Sequence, residues 1–258
     1  MTMKLDYAYY WLFIMLILTS CADETNILGD EQDIAQEIEL LSLPDPISAM
    51  FQFDKSIDNI YDRSKVLADI EHMYSKPRIR KLLTFLMESG VKIKFYKYPV
   101  GSSSEHEAEC KASFFTTEIS FISRNCITLA NLLHELLHLY AYLKYKTYTD
   151  GNYAACEEYE IRVLTDLIMR RDFKGISFTH QGMRSSDKLY TPYIEWLEKI
   201  ANTPIYNMDL FKIDFQRFGS VCLFGFGYGD RTNYKGRIEV SDLNSYTPRL
   251  MNVFWSGF

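Results

Sequence analysis

The stretch NLLHELLHLY, residues 131–140, decides how this chain is interpreted. The wider segment LANLLHELLHLYAYL is apolar enough to predict a buried helix. On such a helix His134 and His138 lie on one face, one turn apart, and Glu135 directly follows the first histidine. A core helix gains nothing from two imidazoles and a carboxylate within five positions, because each needs a polar partner when buried.

The H-E-x-x-H spacing can present two imidazole nitrogens to one cation. Zinc accepts such ligands, and a catalytic zinc site keeps one position open for water. Glu135 lies beside the histidine pair, where it can take a proton from that water. We therefore predict one Zn²⁺ ion held by His134 and His138, with Glu135 as the catalytic base. The alternative is a leucine-rich core helix in which the two histidines are four apart by chance.

A two-histidine site needs a further ligand, and the next predicted helix carries Glu157, Glu158 and Glu160 in CEEYEIR. Here the sequence resembles the HExxH zincins, in particular the glutamate-ligand (gluzincin) type typified by thermolysin. In that group the third ligand is a glutamate about twenty residues beyond the second histidine, which favours Glu158. Arg162 stands where many relatives carry Asp or Asn to orient a histidine, so Glu157 and Glu160 stay open as alternatives. Asp166 is one substitute for the missing orienting group.

The resemblance spans roughly residues 60–170 and implies a zinc metallopeptidase, a hydrolase that cleaves peptide bonds. It implies a zincin-like domain in which helices pack on a small sheet, with the HExxH helix followed by a glutamate-bearing helix. The strand near residues 119–123 would then be the edge along which an extended peptide binds. Zincins often add an oxyanion donor, for which Tyr148, Tyr153 and His180 are the candidates.

The N-terminus predicts an exported lipoprotein. Residues 1–21 contain the apolar run YYWLFIMLIL and end in LTSC, which resembles a lipobox whose Cys21 is lipidated. The alternative is an ordinary secretory signal or an anchor helix. Residues 22–55 hold nine acidic residues and are predicted to form an acidic tether between a membrane anchor and the body. The protein would then lie in the cell envelope.

The body is predicted to be α+β. Residues 56–172 form the zincin-like core, with helices predicted at 57–75, 77–89, 128–144 and 154–171 and strands at 91–99 and 112–123. Residues 173–258 form a mixed α/β region packed on that core. A helix is predicted at 187–202, and short strands with Gly-rich turns at 219–230, 236–240 and 250–258.

Cysteine content and charge limit the remaining functions. Apart from Cys21, four cysteines remain; Cys110 and Cys126 flank one strand region and could pair, or all four could be separate buried thiols. The net charge is −6, and the body carries no Lys/Arg cluster, so nucleic acid is not an expected partner. The rival to a membrane-tethered peptidase is a zincin-like binding lipoprotein without catalytic activity.

Overall fold

A small sheet packed with helices makes up the described part of the chain. The computed structural model describes residues 43–57, 60–97, 108–112, 117–146, 151–174, 188–203, 207–225 and 246–258. Within these ranges the helices are α1 (Asp45–Ser48), α2 (Ile60–Tyr74), α3 (Pro77–Glu88), α4 (Leu129–Tyr145), α5 (Gly151–Asp172), α6 (Tyr190–Ala201), α7 (Met208–Gly225) and α8 (Asn252–Ser256). The strands are β1 (Phe51–Phe53), β2 (Ile93–Lys97), β3 (Ala108–Ala112) and β4 (Thr117–Phe121). This mixture agrees with the predicted α+β class.

The four strands form one sheet in the order β1-β2-β4-β3. The first three of these are parallel, with Phe51 opposite Ile93 and Ile93 opposite Thr117. Strand β3 runs antiparallel to β4. The strand predicted at 91–99 is confirmed in β2. There Ile93 and Phe95 are fully buried, while Lys94 and Tyr96 are partly exposed. Parallel strands need long crossovers, and α2 with α3 supplies the one between β1 and β2.

Strand β4 is an internal strand, since it pairs with β2 on one side and β3 on the other. The expectation that residues 119–123 form the free edge of the sheet is therefore wrong. The edge strands among the described residues are β1 and β3. The error has a simple cause: strands were predicted only at 91–99 and 112–123 in this part of the chain, but β3 begins at Ala108.

The two ends of helix α4 are fixed by Thr128 and Lys146. The Thr128 side chain accepts a hydrogen bond from the Asn131 backbone N at 3.1 Å, which satisfies one of the free amides of the first turn. At the other end Lys146 has φ 54°, the left-handed conformation that commonly stops a helix. Between these ends nearly every residue is buried, because α4 packs against both β3 and α5.

The folded body begins before residue 56, where its start was predicted. The chain divides into a compact unit, Leu41–Phe258, and an N-terminal part, Met1–Leu40, which lies outside the described residues. Strand β1 pairs with β2, and Met50 is 1% exposed, so the residues just before position 55 belong to the folded body. The acidic composition of residues 22–55 is misleading at its end, since the apolar residues Ile47, Met50 and Phe51 fill part of the core.

The C-terminal region is helical where the structure describes it, contrary to the predicted strands at 219–230 and 250–258. Helix α7 continues through Gly219 and ends at Gly225. Its residues Phe211, Phe215 and Phe218 recur at helical spacing and are buried, and this pattern outweighs the strand preference of aromatic residues. Residues 250–258 form a turn and α8, while the predicted strand at 236–240 lies outside the described residues.

Two further predictions concern cysteines and the membrane. Cys126 is a free thiol whose Sγ lies 3.3 Å from Ser123 Oγ, so a bond to Cys110 is not formed. Cys156 is buried. None of the helices in the described ranges combines the length and the apolar character needed to cross a bilayer.

Candidate metal centre

The two histidines of the H-E-x-x-H motif lie side by side on α4. His134 and His138 are one turn apart, and their ring centroids are 4.7 Å apart. Both rings direct Nε2 toward the same point, since the two Nε2 atoms are only 3.1 Å apart. His134 is 6% exposed, so the pair sits inside the protein rather than on its surface.

Helix α5 brings Glu158 to that point. Its Oε2 lies 2.8 Å from Nε2 of His138, and its Oε1 lies 3.3 Å from Nε2 of His134. One ligand atom from each of the three residues lies within 4.8 Å of the others, and this group could hold a metal ion. Helices α4 and α5 are packed against each other, which holds the three side chains together.

The other two glutamates of CEEYEIR differ from Glu158 in what they contact. Glu160 accepts hydrogen bonds from the hydroxyl of Tyr246 at 2.5 Å and from the backbone N of Leu250 and Met251 at 2.6 and 2.9 Å. It therefore anchors the segment before α8 and is not available as a ligand. Glu157 is buried and raises the pKa of His138, but it is not a member of the group that could hold a metal.

Glu135 lies beside the group without joining it. Its side chain is 5% exposed, and its charge contributes to raising the pKa of His138. A carboxylate in such a place can exchange a proton with a molecule bound at the ligand atoms.

Arg162 occupies the position where an orienting residue would contact a histidine, but it contacts Glu158 instead. Its Nε donates a hydrogen bond to Oε1 of Glu158 at 2.7 Å, one turn back on α5. Asp166, the predicted substitute, accepts a hydrogen bond from the Tyr193 hydroxyl of α6 at 2.8 Å. Among the described residues, nothing forms a hydrogen bond with Nδ1 of His134. The described contacts of the His134 ring nitrogens are therefore those of Nε2 with Glu158 and His138.

Burial and neighbouring charges set the protonation of the group. Burial lowers the pKa of His134 to about 4, so this imidazole is neutral near pH 7 and keeps a lone pair for a cation. Burial also opposes ionisation of Glu158, but Arg162 and the two histidines together hold its pKa well below the usual range. For His138, burial lowers the pKa, but the carboxylates of Glu158, Glu135 and Glu157 outweigh it and raise the pKa.

Carboxylates cluster around the two histidines. Glu135, Glu157 and Glu158 are all buried, and all three raise the pKa of His138. Buried carboxylates are normally paired or bound to a metal. Two imidazole nitrogens and the carboxylate of Glu158 are donors that a divalent cation accepts, so the donor set fits such an ion.

The three predicted oxyanion donors cannot be placed. Tyr148, His180 and the side chain of Tyr153 lie outside the described residues, as does Cys21. Sequence reasoning missed the contacts Arg162–Glu158 and Tyr193–Asp166. The contact between Arg162 and Glu158 could have been predicted, because an acidic and a basic residue four apart on a helix commonly pair. The contact between Tyr193 and Asp166 joins two helices, and no sequence pattern predicts it.

Comparison with protein-family models, curated proteins and solved structures found no match for this chain. The function is consequently inferred from the chemistry of His134, His138, Glu158 and Glu135.

Proposed function

We propose that His134, His138 and Glu158 bind one zinc ion and that the protein is a zinc-dependent peptidase. The observation that carries this proposal is the convergence of three ligand atoms within 4.8 Å, two of them on buried residues, with the carboxylate of Glu135 on the next residue of the same helix. A single carboxylate from a second helix reaches both imidazoles, as a shared cation would require.

The donor types favour zinc over other divalent ions. Two imidazole nitrogens and one carboxylate oxygen are a common catalytic zinc set, whereas Mg²⁺ and Ca²⁺ prefer sites built from oxygen alone. Three protein ligands also leave a fourth position of a tetrahedral centre open.

The chain's own residues supply the acid–base chemistry. A bound zinc ion contributes Lewis acidity, which lowers the pKa of a water molecule to about 7. His134, His138 and Glu158 would hold the ion. The carboxylate of Glu135 would take a proton from the water as its oxygen adds to the peptide carbonyl, and would return that proton to the nitrogen as the C–N bond breaks. Burial of His134, Glu135 and Glu158 limits access of bulk water.

A peptide substrate suits the sheet beside α4. Strand β3 pairs with β4 on one side, and no other described strand pairs with its second edge. Because α4 packs against β3, this edge runs next to the helix that carries the histidines. An extended peptide can add to such an edge through main-chain hydrogen bonds. The corrected position of the edge, β3 instead of β4, is therefore where we propose that the substrate lies.

The location of the enzyme rests on the sequence LTSC at residues 18–21. We propose that Cys21 is lipidated and that the protein is anchored to the cell envelope by acyl chains. Mass spectrometry of the N-terminus of the native protein tests this. An acylated Cys21 as first residue supports it, and an intact Met1 would contradict it.

The metal and the activity are tested separately. The folded body, purified without added metal, should contain one zinc ion per chain by elemental analysis. It should cleave an unstructured protein such as casein, and a chelator should abolish the cleavage, which added zinc restores. Zinc without cleavage would favour the rival function, a metal-bound binding lipoprotein. Arg162 supports that rival, because its guanidinium is hydrogen-bonded to Glu158, the proposed third ligand, and its positive charge opposes a bound cation.

A further inference from the structure

Arg162 is an unusual neighbour for a metal ligand. Its guanidinium contacts Oε1 of Glu158 at 2.7 Å, and its side chain is only 18% exposed. A positive charge at this distance opposes a cation at the histidines. A buried arginine beside a carboxylate therefore needs a role other than added affinity.

The two oxygens of Glu158 have different partners. Oε1 receives the hydrogen bond from Nε of Arg162 and lies 3.3 Å from Nε2 of His134, while Oε2 has the shorter histidine contact, 2.8 Å to Nε2 of His138. The charge-assisted hydrogen bond uses one of the two lone pairs of Oε1 and draws that oxygen toward the guanidinium. Oε2 is thereby the oxygen better placed to bind an ion.

A second polar pair lies one turn further along α5. Asp166 follows Arg162 by four positions and accepts a hydrogen bond from the Tyr193 hydroxyl of α6 at 2.8 Å. The charge of Arg162 lowers the pKa of Asp166 against the opposing effect of burial. Arg162 therefore lies between two carboxylates and is hydrogen-bonded to that of Glu158.

We propose that Arg162 is a positioning residue that restricts Glu158 to binding the metal through Oε2 alone. The inference rests on the proposed metal site but not on peptidase activity. With one carboxylate oxygen and two imidazole nitrogens, the ion keeps an open position for water. A carboxylate that bound through both oxygens would occupy part of that space.

X-ray absorption spectroscopy of the zinc-loaded full-length protein tests the role of Arg162, because it counts the atoms bound to the metal. The parent should show four light-atom ligands. Arg162→Met removes the hydrogen bond while keeping a side chain of similar length, and it should show a fifth ligand as Oε1 joins the metal. Arg162→Lys, which can still donate one hydrogen bond to Oε1, should restore four.

The matched control is Arg170→Met. Arg170 lies on the same helix and pairs with Glu198 of α6, so this variant removes the same charge at a distance from the histidines. It should keep four ligands. A five-ligand parent, or four ligands in Arg162→Met, would overturn the role of Arg162 while leaving the metal site intact. Should Arg162→Met fail to fold, Arg162→Leu also lacks a donor and should show the same count of five, and four ligands in it would overturn the role of Arg162. A parent that binds no zinc would overturn the site and this inference together.

Discussion

At the scale of single residues, Glu135 is the most informative position. It is buried beside the histidines but is not one of the three residues whose atoms converge. Glu135→Gln has nearly the same shape yet cannot accept a proton. We expect zinc content and folding to be unchanged while the peptidase rate falls ~10²–10⁴-fold, as is typical for loss of a general base.

The control for this substitution is His134→Ala, which removes a ligand and should lose zinc and activity together. Elemental analysis and a cleavage assay on both variants separate the two roles. A Glu135→Gln enzyme that cleaved at the parent rate would show that the carboxylate takes no part in proton transfer.

Asp166 gives a prediction about pH. Burial, opposed by the Tyr193 hydrogen bond and by Arg162, raises the pKa of Asp166 to about 7 from an ordinary value of 3.8. The folded state then binds this proton more tightly than the unfolded state. The stabilisation from this group is complete below pH 3.8 and is lost as the pH rises through about 7.

Asp166→Asn keeps an oxygen for the Tyr193 hydroxyl but cannot ionise. We expect the variant to be more stable than the parent at pH 8, by roughly 1–3 kcal/mol, with a difference that shrinks toward pH 4. Urea unfolding of metal-free protein at several pH values measures this. Tyr193→Phe, which removes the hydroxyl, should be less stable than the parent. A parent as stable as Asp166→Asn at pH 8 would argue against a buried, ionising Asp166.

At the scale of elements, helix α4 depends on its first turn. The Thr128 side chain caps it through the Asn131 amide. Thr128→Ala should lower the free energy of unfolding by about 1 kcal/mol, whereas Thr128→Ser keeps the hydroxyl and should cost little. Thermal unfolding of the two variants gives the comparison. Equal losses in both would mean that the methyl group of Thr128 matters more than its hydroxyl.

The elements that could be predicted from the sequence have strong local patterns. Helix α4 was predicted from a long apolar run, and β2 lies within the strand predicted at 91–99. Helix α7 was missed because glycines and aromatic residues in its second half outweigh a helical spacing of phenylalanines that is plain only in the first half. The free edge of the sheet was missed because strand order depends on pairings between distant residues, which no local pattern encodes.

The candidate metal centre could also be predicted only in part. That His134 and His138 share a helix face follows from their spacing alone, and the approach of Glu158 could be anticipated only from a family pattern. The role of Glu160 could not be predicted, because its partners lie 86 to 91 positions further along the chain.

At the scale of the whole molecule, residues 246–258 tie the helices together. Phe254 is fully buried, with the guanidinium of Arg171 4.2 Å from its ring centroid and that of Arg78 4.9 Å from it. Phe254→Ala should lower the free energy of unfolding by about 3–5 kcal/mol because it leaves a cavity in the core. Ile213→Ala is the control, since Ile213 is 65% exposed and its loss should change stability by less than about 0.5 kcal/mol.

Urea unfolding measures both variants. If Phe254→Ala unfolded at the same urea concentration as Ile213→Ala, the C-terminal segment would contribute little to the packed core.

The hydrogen bonds of Glu160 have a consequence for the order of events during synthesis. Leu250 follows Glu160 by 90 positions, so its amide leaves the ribosome later than the carboxylate that it must satisfy. At the usual pace of translation this delay is roughly 5–20 s. Throughout that interval α5 carries a carboxylate without the donors that permit its burial. The helix that supplies Glu158 therefore reaches its final packing only after the segment before α8 has emerged, and zinc would be captured late in the life of the nascent chain.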